Sequence, residues 1–525
     1  MRDFHLPGRS ATFATNGMVA TSHPLAAQEA LTCLREGGTA MDAAICGAVL
    51  LDICEPQMTG LAGDCFALIK PAGSNSVTAF NGSGRAPAGA DPNILRAKGL
   101  DTVPLDGPDA VTVPGAVEAF FRLSETYGRL GMERVLRPAI HYAEEGVPVA
   151  PRVARDWVPK GQRLQGHGRR WYLRDGQPLK TSDIFRAPGE AEVLRRLVRL
   201  GPKAFYEGEV AEDMLATLHA MGGCHSAEDF AAVCGTPTDP ISGIYRGTEL
   251  LEHPPNGQGA TAILLLNILA HFDLAGMDPF GAAHTHIEAE AVKLAYDARN
   301  RLICDPAVHD ATARMLDPEF ARQLAALINP ERARENVAEV TEAVHKDTIY
   351  ITAVDRDGMA VSLIYSIFHG FGTGHATEKF GLLLHNRGAG FSLVPGHPNE
   401  LGPGKRPMHT IIPGMLRENG RVTGAFGVMG GQYQACGHAR FVTNMRDFGL
   451  DPQRAMEAPR SFVVADALHL ERGYGEGVRA KLAALGHKLV TPDEPIGGSQ
   501  AIMIHESGVL EGASDHRKDG CALGY

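Results

Sequence analysis

Thr348 is a residue whose type and position could supply a hydroxyl nucleophile. It precedes two apolar, β-branched runs, 349–354 and 359–367, that flank Asp355-Arg356-Asp357-Gly358. An Asp-Gly pair between alternating hydrophobic residues predicts a β-hairpin, with a loop of either two or four residues. In the matching register the start of one strand faces the end of the other, so we expect the hydroxyl of Ser366 close to Thr348.

A threonine that begins a strand is ordinarily there because its branched side chain fits a pleated sheet. The rest of the chain changes that interpretation. It carries a set of short motifs: Asp347-Thr348, Phe371-Gly372-Thr373-Gly374, Lys405-Arg406-Pro407, Gly430-Gly431, Gly512-Ala513-Ser514-Asp515 and Gly524-Tyr525. From residue 17 to residue 525 this pattern resembles the γ-glutamyltransferase family of N-terminal nucleophile hydrolases.

The resemblance implies that the precursor cuts its own chain immediately before Thr348. The products would be a large subunit, 1–347, and a small subunit, 348–525, which together form one compact domain. The cut is chemically useful because a hydroxyl is a weak nucleophile that needs an adjacent base. The α-amine freed on Thr348, with an ordinary pKa of about 8, accepts the hydroxyl proton near neutral pH.

Two successive glycines, Gly430 and Gly431, can donate backbone N–H groups to an oxyanion without obstruction by a side chain. A Gly-Gly pair by itself indicates only a turn. The resemblance implies that this pair is the oxyanion loop, and that Ser366 contacts and orients the amine of the nucleophile. The predicted catalytic residues are therefore Thr348, Ser366, Gly430 and Gly431.

The positions that bind the γ-glutamyl head group in the family are changed here. The family arginine that holds the substrate α-carboxylate matches Ser83, and the acidic residue that binds the α-ammonium matches Gly390. An asparagine on the second hairpin strand is replaced by Phe368, and a pair of serines by His409-Thr410. Since the loss of one partner of a buried ion pair costs about 3–5 kcal/mol, we expect head-group recognition to be largely abolished.

The predicted substrate-binding residues are Arg85, Arg387, His409 and Thr410. The two arginines and the histidine can form a small cationic pocket for a carboxylate that lacks an α-amine, because the planar fork of arginine matches a carboxylate. The alternative for each of them is a structural or surface charge. The preferred substrate is a small amide that carries a carboxylate, as in the oxamate amidohydrolases of the family.

Apolar periodicity predicts several elements: a strand at 17–22, a helix from Pro24, a helix at 40–52, helical segments at 115–145, 189–221 and 259–272, an irregular surface excursion at 155–185, and strands within 420–433 and 498–511. This order indicates a mixed α/β chain and no more. The resemblance supplies the architecture, an α+β fold in which two sheets are packed between helices as a four-layer αββα sandwich.

The composition excludes some classes of partner. A net charge of −11 provides no basic surface for nucleic acid, and no apolar run is long enough to span a membrane. Because residues 1–8 lack the apolar core of a signal peptide, we expect a cytoplasmic protein.

The nine cysteines are scattered along the chain and form no Cys-x-x-Cys pair. This pattern indicates reduced thiols rather than disulfides or a zinc site. Both a monomer and a homo-oligomer are compatible with the sequence.

Four residues with metal-ligand chemistry, His284, His286, Glu288 and Glu290, lie on one predicted helix. Each histidine is followed by a glutamate at i+4, which can present metal ligands but more often supports the helix. The glycine-rich segments lack the spacing of a phosphate-binding loop or a dinucleotide fold. We therefore predict neither a metal nor a cofactor.

The predicted activity is hydrolysis of an amide through an acyl-enzyme on Thr348. Within the same family the alternatives are true γ-glutamyl transfer or glutathione hydrolysis, and removal of a dicarboxylic acyl group, as in cephalosporin (glutaryl) acylases. Outside it, the alternatives are an uncleaved binding or scaffold relative and a metal hydrolase that uses His284 and Glu288.

Overall fold

The computed structural model describes residue 5 and residues 8–334 and 347–525, without the side chain of Asp347. Most of residues 1–8, from which we predicted that the chain has no signal peptide, lie outside the described residues. The strands in the described residues are β1 (Thr12–Ala14), β2 (Met18–Thr21), β3 (Asp64–Lys70), β4 (Thr78–Gly82), β5 (Val147–Pro148), β6 (Ile184–Phe185), β7 (Thr236–Thr238), β8 (Ile241–Tyr245), β9 (Thr248–Glu252), β10 (Asp347–Val354), β11 (Ala360–Phe368), β12 (Gly414–Glu418), β13 (Arg421–Met429), β14 (Ser461–Val464), β15 (Ala467–Leu470), β16 (Lys488–Val490), β17 (Gly498–Ile504), β18 (Leu510–Ser514) and β19 (Cys521–Gly524).

The α-helices in the same residues are α1 (Pro24–Arg35), α2 (Ala40–Cys54), α3 (Pro92–Ala97), α4 (Ala116–Tyr127), α5 (Met132–Glu145), α6 (Pro151–Lys160), α7 (Gly166–Tyr172), α8 (Pro188–Leu200), α9 (Lys203–Tyr206), α10 (Glu209–Ala220), α11 (Ala227–Ala231), α12 (Gly259–Leu269), α13 (Ala282–Leu302), α14 (Thr312–Leu316), α15 (Pro318–Ala325), α16 (Tyr433–Arg446), α17 (Pro452–Glu457) and α18 (Glu476–Ala484). None of these helices has the length and apolar character that a membrane crossing requires.

Two large sheets, each with seven antiparallel strands, form the centre of the fold. The first sheet has the order β1-β18-β17-β13-β12-β9-β8, and the second has the order β19-β2-β10-β11-β3-β4-β7. In both sheets, strands that precede residue 347 pair directly with strands that follow it. In the second sheet, for example, β10 pairs with β2, and β11 pairs with β3.

Apolar side chains are buried in three layers that separate the sheets and helices. Side chains of α1, α2, α4 and α5 pack on one face of the second sheet, and those of α12, α13 and α16 on one face of the first. A third group lies between the sheets, with Leu68 and Val354 from one sheet and Leu251, Ala425 and Ile502 from the other. The order is helices, sheet, sheet, helices, which confirms the predicted four-layer αββα sandwich.

The second helix, α2, shows how local sequence sets this packing. The Thr39 side chain and the Asp42 side chain cap each other's backbone N–H groups at its start, an arrangement that satisfies amides otherwise left without partners. Every residue of α2 is buried. Its small residues allow close approach to β10: a Cβ added to Gly47 would lie 2.3 Å from a methyl carbon of Ile351. The predicted internal helix at 40–52 is confirmed.

The predicted hairpin is formed by β10 and β11. Its loop has three residues, 356–358, rather than two or four: the Asp355 N–H donates to the Met359 carbonyl and the Gly358 N–H donates to the Asp355 carbonyl, each over 3.1 Å. Gly358 has φ = +81°, a left-handed conformation that glycine adopts without strain. The Asp355 carboxylate also accepts a hydrogen bond from the Ala40 N–H (2.8 Å), which ties the loop to α2.

The prediction of an irregular surface excursion at 155–185 is wrong. This stretch contains the end of α6, the whole of α7 and β6, and it buries Trp157 and Tyr172. The Trp157 ring packs edge-on against Phe185, with centroids 5.4 Å apart, and lies 5.5 Å from the ring of Phe371. Polar and glycine-rich runs separate these aromatic residues in the sequence. They are buried together, but their spacing has no regular apolar period from which a helix or strand could be predicted.

Candidate active site

The predicted catalytic residues meet where several strands begin or end together. Thr348 is the second residue of β10, Ser366 lies near the end of β11, and Gly430 follows the end of β13. Ser362 lies on the same face of β11 as Ser366, because side chains alternate along a strand, and its Oγ donates to the Phe426 carbonyl of the opposite sheet over 3.2 Å. The site therefore lies between the two sheets, at one end of the sandwich.

Thr348 and Ser366 are in direct contact, as the hairpin predicts. The Thr348 Oγ1 hydroxyl donates to the Ser366 Oγ over 3.2 Å, and the Phe368 N–H donates to the same Ser366 oxygen over 2.9 Å. The pairing of β10 with β11 is irregular between Asp347 and Ile349. Thr348 lies within this irregularity, which is typical of a β-bulge. Thr348 is almost completely buried.

Arg387 joins Ser366 to a second predicted residue, Thr410. Its Nη2 donates to Ser366 Oγ (3.2 Å) and its Nη1 donates to Thr410 Oγ1 (3.0 Å). The guanidinium lies 4.2 Å above the centre of the Phe368 ring, a favourable position for a cation. Arg387 is fully buried, so it is a cation of the interior and not of the surface.

Asp64, the first residue of β3, supports Arg387 from the side away from Thr410. The Asp64 Oδ1 accepts the Gly84 N–H (2.8 Å). The Oδ2 lies 3.1 Å from His409 Nε2, 3.3 Å from His385 Nδ1 and 3.8 Å from Arg387 Nε. The sequence prediction included His409 and Arg387 but missed Asp64 and His385. The available signal for Asp64 was an acidic residue at the start of an otherwise apolar strand.

The charges of this cluster follow from burial and mutual contact. Burial would raise the pKa of the Asp64 carboxyl, but His385 and His409 hold it well below its usual range. Burial lowers the pKa of His409 to about 3, with a further contribution from Arg387. Burial also lowers the pKa of Arg387 to about 9, although Asp64 opposes this change. At neutral pH the cluster is an Asp64 carboxylate, an Arg387 guanidinium and a neutral His409 imidazole that donates its Nε2 hydrogen to Asp64.

The Gly430-Gly431 pair forms a tight turn directly before α16. The φ angles are +122° for Gly430 and +54° for Gly431, and a Cβ added to Gly430 would lie 2.9 Å from the Cα of Gly497. Within residues 8–334 and 347–525, neither glycine N–H donates to an acceptor. The turn lies at the N-terminus of a 14-residue helix, where the helix dipole favours negative charge. This geometry suits stabilisation of an oxyanion.

Gln258 connects the glycine turn to Thr410. Its side-chain N–H group donates to the backbone carbonyls of Thr410 (2.6 Å) and Gly431 (3.0 Å). Its side-chain oxygen accepts a hydrogen bond from Nη1 of Arg299 (2.9 Å), and the same nitrogen donates to the side-chain oxygen of Gln432. Arg299 is buried, which lowers its pKa to about 10. Gln258 and Arg299 were not among the predicted site residues, because their contacts link segments that are distant in the sequence.

Arg85 is not brought into this cluster. Its side chain is about half exposed, lies 3.3 Å from the Asp305 carboxylate and donates to the Gly404 carbonyl (2.9 Å). Gly390, which matches the family's ammonium-binding acid, ends the short turn that begins with Arg387. A Cβ at Gly390 would lie 2.8 Å from the Met408 carbonyl oxygen. The local backbone therefore leaves no room for an acidic side chain at this position.

The candidate metal ligands on α13 have other partners. Glu288 forms an ion pair with Arg440, and the His284 ring packs edge-on against Phe448 at 5.0 Å. Glu290 accepts a hydrogen bond from the Lys293 ammonium (2.6 Å). His286 and His487 share a hydrogen bond of 2.8 Å beside Glu290, but the ammonium of Lys293 disfavours a further cation there. These contacts support a structural role for the helix residues.

A cleft of about 740 Å³ opens beside the site. Its walls include Leu105, Arg299, His369, Phe391, Val394 and Gln432. Gln432 follows the glycine turn and His369 follows Phe368, so part of the cleft wall directly adjoins residues of the site in the chain.

Comparison with known proteins places this geometry in a family. The family model described as Gamma-glutamyltranspeptidase matches residues 26–525. The chain is 34% identical to the glutathione hydrolase-like YwrD proenzyme of Bacillus subtilis, over 98% of this chain and 99% of that protein. It is also 34% identical to the oxamate amidohydrolase proenzyme of Klebsiella pneumoniae, over 98% of this chain and 100% of that protein.

A solved structure agrees with the sequence matches. The crystal structure of cephalosporin acylase from Bacillus halodurans superimposes with a TM-score of 0.92 at 36% identity, and covers 100% of this chain and 99% of that one. The resemblance predicted from the motifs is thereby confirmed over nearly the whole sequence. The chain belongs to the γ-glutamyltranspeptidase family and is an enzyme of its amidohydrolase type.

Proposed function

We propose that this protein is a self-cleaving amidohydrolase that forms an acyl-enzyme on Thr348 and acts on a small amide with a carboxylate beside the scissile carbonyl, such as oxamate. One observation carries the proposal: the buried Arg387 and the Thr348 hydroxyl contact the same oxygen, Ser366 Oγ, over 3.2 Å each. A cation is thus held within two hydrogen-bond lengths of the nucleophile.

Activation begins with the bond between Asp347 and Thr348. In the continuous chain the Thr348 nitrogen is a peptide nitrogen within β10 and is not a base. Attack of the Thr348 hydroxyl on the Asp347 carbonyl forms an ester and breaks the peptide C–N bond. Water then hydrolyses the ester, which leaves a carboxylate on Asp347 and an α-amine on Thr348. The result is a hydroxyl with its own proton acceptor.

Turnover uses the same atoms on an external amide. The α-amine of Thr348 takes the hydroxyl proton while Oγ1 attacks the amide carbonyl, and the Gly430 and Gly431 N–H groups stabilise the oxyanion. The amine then donates the proton to the leaving nitrogen, and the C–N bond breaks to give an ester on Thr348. Water repeats the sequence and releases the acid. One oxyanion donor contributes about 10²–10³ in rate in other hydrolases.

Arg387 is proposed to bind the substrate carboxylate. Its Nε side faces Asp64, which is held in place by Gly84, His385 and His409, so the guanidinium plane is oriented before substrate binds. Its Nη2 contacts the Ser366 oxygen that the nucleophile also contacts, and its Nη1 contacts Thr410. An acyl group that reaches from Thr348 to Arg387 must be short, which favours an oxalyl group over a γ-glutamyl or glutaryl group.

Three substrates separate this proposal from its alternatives. The glutathione hydrolase-like relative supports γ-glutamyl transfer or glutathione hydrolysis as the second candidate. The cephalosporin acylase supports removal of an acyl group as the third, for which we choose a glutaryl group. Ammonia release from oxamate should exceed p-nitroaniline release from γ-glutamyl-p-nitroanilide and from glutaryl-p-nitroanilide in kcat/KM. A clear preference for either anilide, with no ammonia from oxamate, would assign the enzyme to the corresponding alternative.

The pH profile of oxamate hydrolysis should report the α-amine of Thr348. A free amine has an ordinary pKa of about 8, and only its neutral form accepts a proton, so kcat/KM should fall as the pH decreases below about 8. His409 should add no second limb near pH 6–7, because burial holds its pKa at about 3. His409→Gln should therefore leave the midpoint of the limb unchanged, whatever its effect on rate. Disappearance of the limb in this variant would show that His409 is the titrating base.

Loss of the Gln258 donor should reduce the rate of the chemical step. Gln258→Met keeps the side-chain volume but removes the hydrogen bonds to the Gly431 and Thr410 carbonyls. We expect kcat for oxamate to fall by about 10- to 100-fold with little change in KM, because the glycine turn acts mainly in the transition state. Gln258→Glu is the matched control: it keeps an acceptor for Arg299 but lacks the donor, and should lose kcat similarly. Full kcat in both variants would exclude this role.

A further inference from the structure

We infer, on the basis of the proposed function, that the cleft beside Thr348 binds the amine side of the substrate. The preferred substrates are then half-amides of a short dicarboxylic acid whose amine carries an apolar group about the size of an aromatic ring. Oxamate itself would be the smallest member of this class, with ammonia as its leaving group.

The first reason is that the wall of the cleft lies next to the proposed reacting groups. Three of its wall residues each adjoin a site residue in the chain: Gln432 follows Gly431, His369 follows Phe368, and Met408 precedes His409. A fourth, Gly390, ends the short turn that begins at Arg387. Gln432 in particular lies beside the proposed oxyanion donors. A substrate whose carbonyl oxygen is held there can extend its nitrogen substituent into the cleft.

The second reason is the difference in room on the two sides of the scissile bond. On the acyl side, Arg387 is within two hydrogen-bond lengths of Thr348, so only a short acyl group fits. The cleft measures about 740 Å³, within the range of roughly 300–1,000 Å³ that holds drug-sized ligands. A site that served only oxamate would need a small part of this volume.

The third reason is the apolar wall of the cleft. Val103, Ile303, Phe391 and Leu393 are buried side chains that line it, and two exposed apolar side chains, Leu105 (37% exposed) and Val394 (59% exposed), lie at its rim. Large apolar side chains exposed beside a site gain free energy when a ligand covers them. The charged residues of the wall include both cations and anions, so they do not favour a substituent of either charge. They are Lys160, Arg163, Arg299, Asp101 and Glu494.

The test compares two secondary amides that share an oxalyl group, N-benzyloxamate and N-methyloxamate, with oxamate as the reference substrate. Benzylamine, methylamine and ammonia are all strongly basic leaving groups, so differences in rate report mainly binding of the substituent. We expect the wild-type kcat/KM for N-benzyloxamate to exceed that for N-methyloxamate by about tenfold or more. Val394→Ser and Leu105→Ser should each reduce this ratio by about threefold. These side chains are exposed, so the substitutions should leave folding intact.

Ile244→Ser is the matched control, because Ile244 is 72% exposed on β8 and does not line the cleft. It should leave the benzyl-to-methyl ratio unchanged. If oxamate and N-methyloxamate are hydrolysed but the benzyl compound is no better, or if the rim variants leave the ratio unaltered, the inference about the cleft is wrong and the proposed function stands. If none of the three compounds is hydrolysed, the proposed function itself is wrong and the inference falls with it.

Discussion

Thr348→Ala should leave the purified chain in one piece and abolish amide hydrolysis. The substitution removes the hydroxyl that attacks the Asp347 carbonyl, so the α-amine is never freed, and it also removes the oxygen that would carry the acyl group. Loss of a nucleophile in a comparable hydrolase reduces kcat by 10⁴-fold or more, and we expect a reduction of that order here. Denaturing electrophoresis should show two pieces for the wild type, 1–347 and 348–525, and one for the variant.

Thr348→Ser is the matched control, because it keeps a hydroxyl at the same position. It should still yield two pieces, more slowly, and retain part of the activity. A wild-type chain that stays whole and inactive would support the uncleaved scaffold alternative. Full activity of Thr348→Ala would contradict the assignment of the nucleophile, and activity lost only on treatment with a chelator would point to the metal hydrolase.

Arg387→Gln should abolish recognition of the substrate carboxylate. Removal of one partner from a buried, charged contact costs about 3–5 kcal/mol, so kcat/KM for oxamate should fall by about 10²- to 4 × 10³-fold. Arg85→Gln provides the comparison at the other predicted arginine. Since Arg85 is about half exposed and contacts Asp305 and the Gly404 carbonyl rather than the residues around Thr348, its loss should change kcat/KM less than about threefold, because water screens a half-exposed cation.

A double variant separates binding from folding. Arg387→Gln alone leaves the buried Asp64 carboxylate without its guanidinium and should lower the temperature of unfolding. Asp64→Asn together with Arg387→Gln removes both charges, so stability should recover while oxamate hydrolysis remains lost. If the double variant regains stability and activity together, Arg387 acts only as a structural partner of Asp64. If Arg85→Gln is the more damaging single change, the carboxylate site lies elsewhere.

The parts of the site that are local in sequence were predictable from it. The Asp-Gly loop specifies a hairpin, and a hairpin brings Thr348 to Ser366 whatever the rest of the fold does. Two adjacent glycines indicate a turn, which the structure has at Gly430 and Gly431, although the prediction that this turn is the oxyanion loop came from the family resemblance. The loop length was not predictable, since two-, three- and four-residue loops all accommodate Gly358.

The parts that depend on tertiary contact were not predictable from residue types. The pairing of β3 with β11 places Asp64 opposite Ser366, and Arg387, which lies outside both strands, contacts Ser366 from a separate turn. No local pattern in the sequence indicates either contact. Arg85 and Arg387 look equivalent in the sequence, but one is half exposed and the other fully buried. Apolar periodicity likewise indicates where strands and helices lie, but it does not show which of the two sheets a strand joins. The four-layer order was therefore predicted from the family resemblance and not from the periodicity.

The way the two sheets are built has a consequence for how the protein must be made. Strands from before and after residue 347 are interleaved in both sheets, with β2 held between β19 and β10, and β9 beside β12. Neither portion has a complete sheet of its own, so each would present open hydrogen-bonding edges if synthesised alone. A gene divided at this boundary should give two insoluble products, and a single uninterrupted reading frame is needed so that both portions fold around each other before any cut is made.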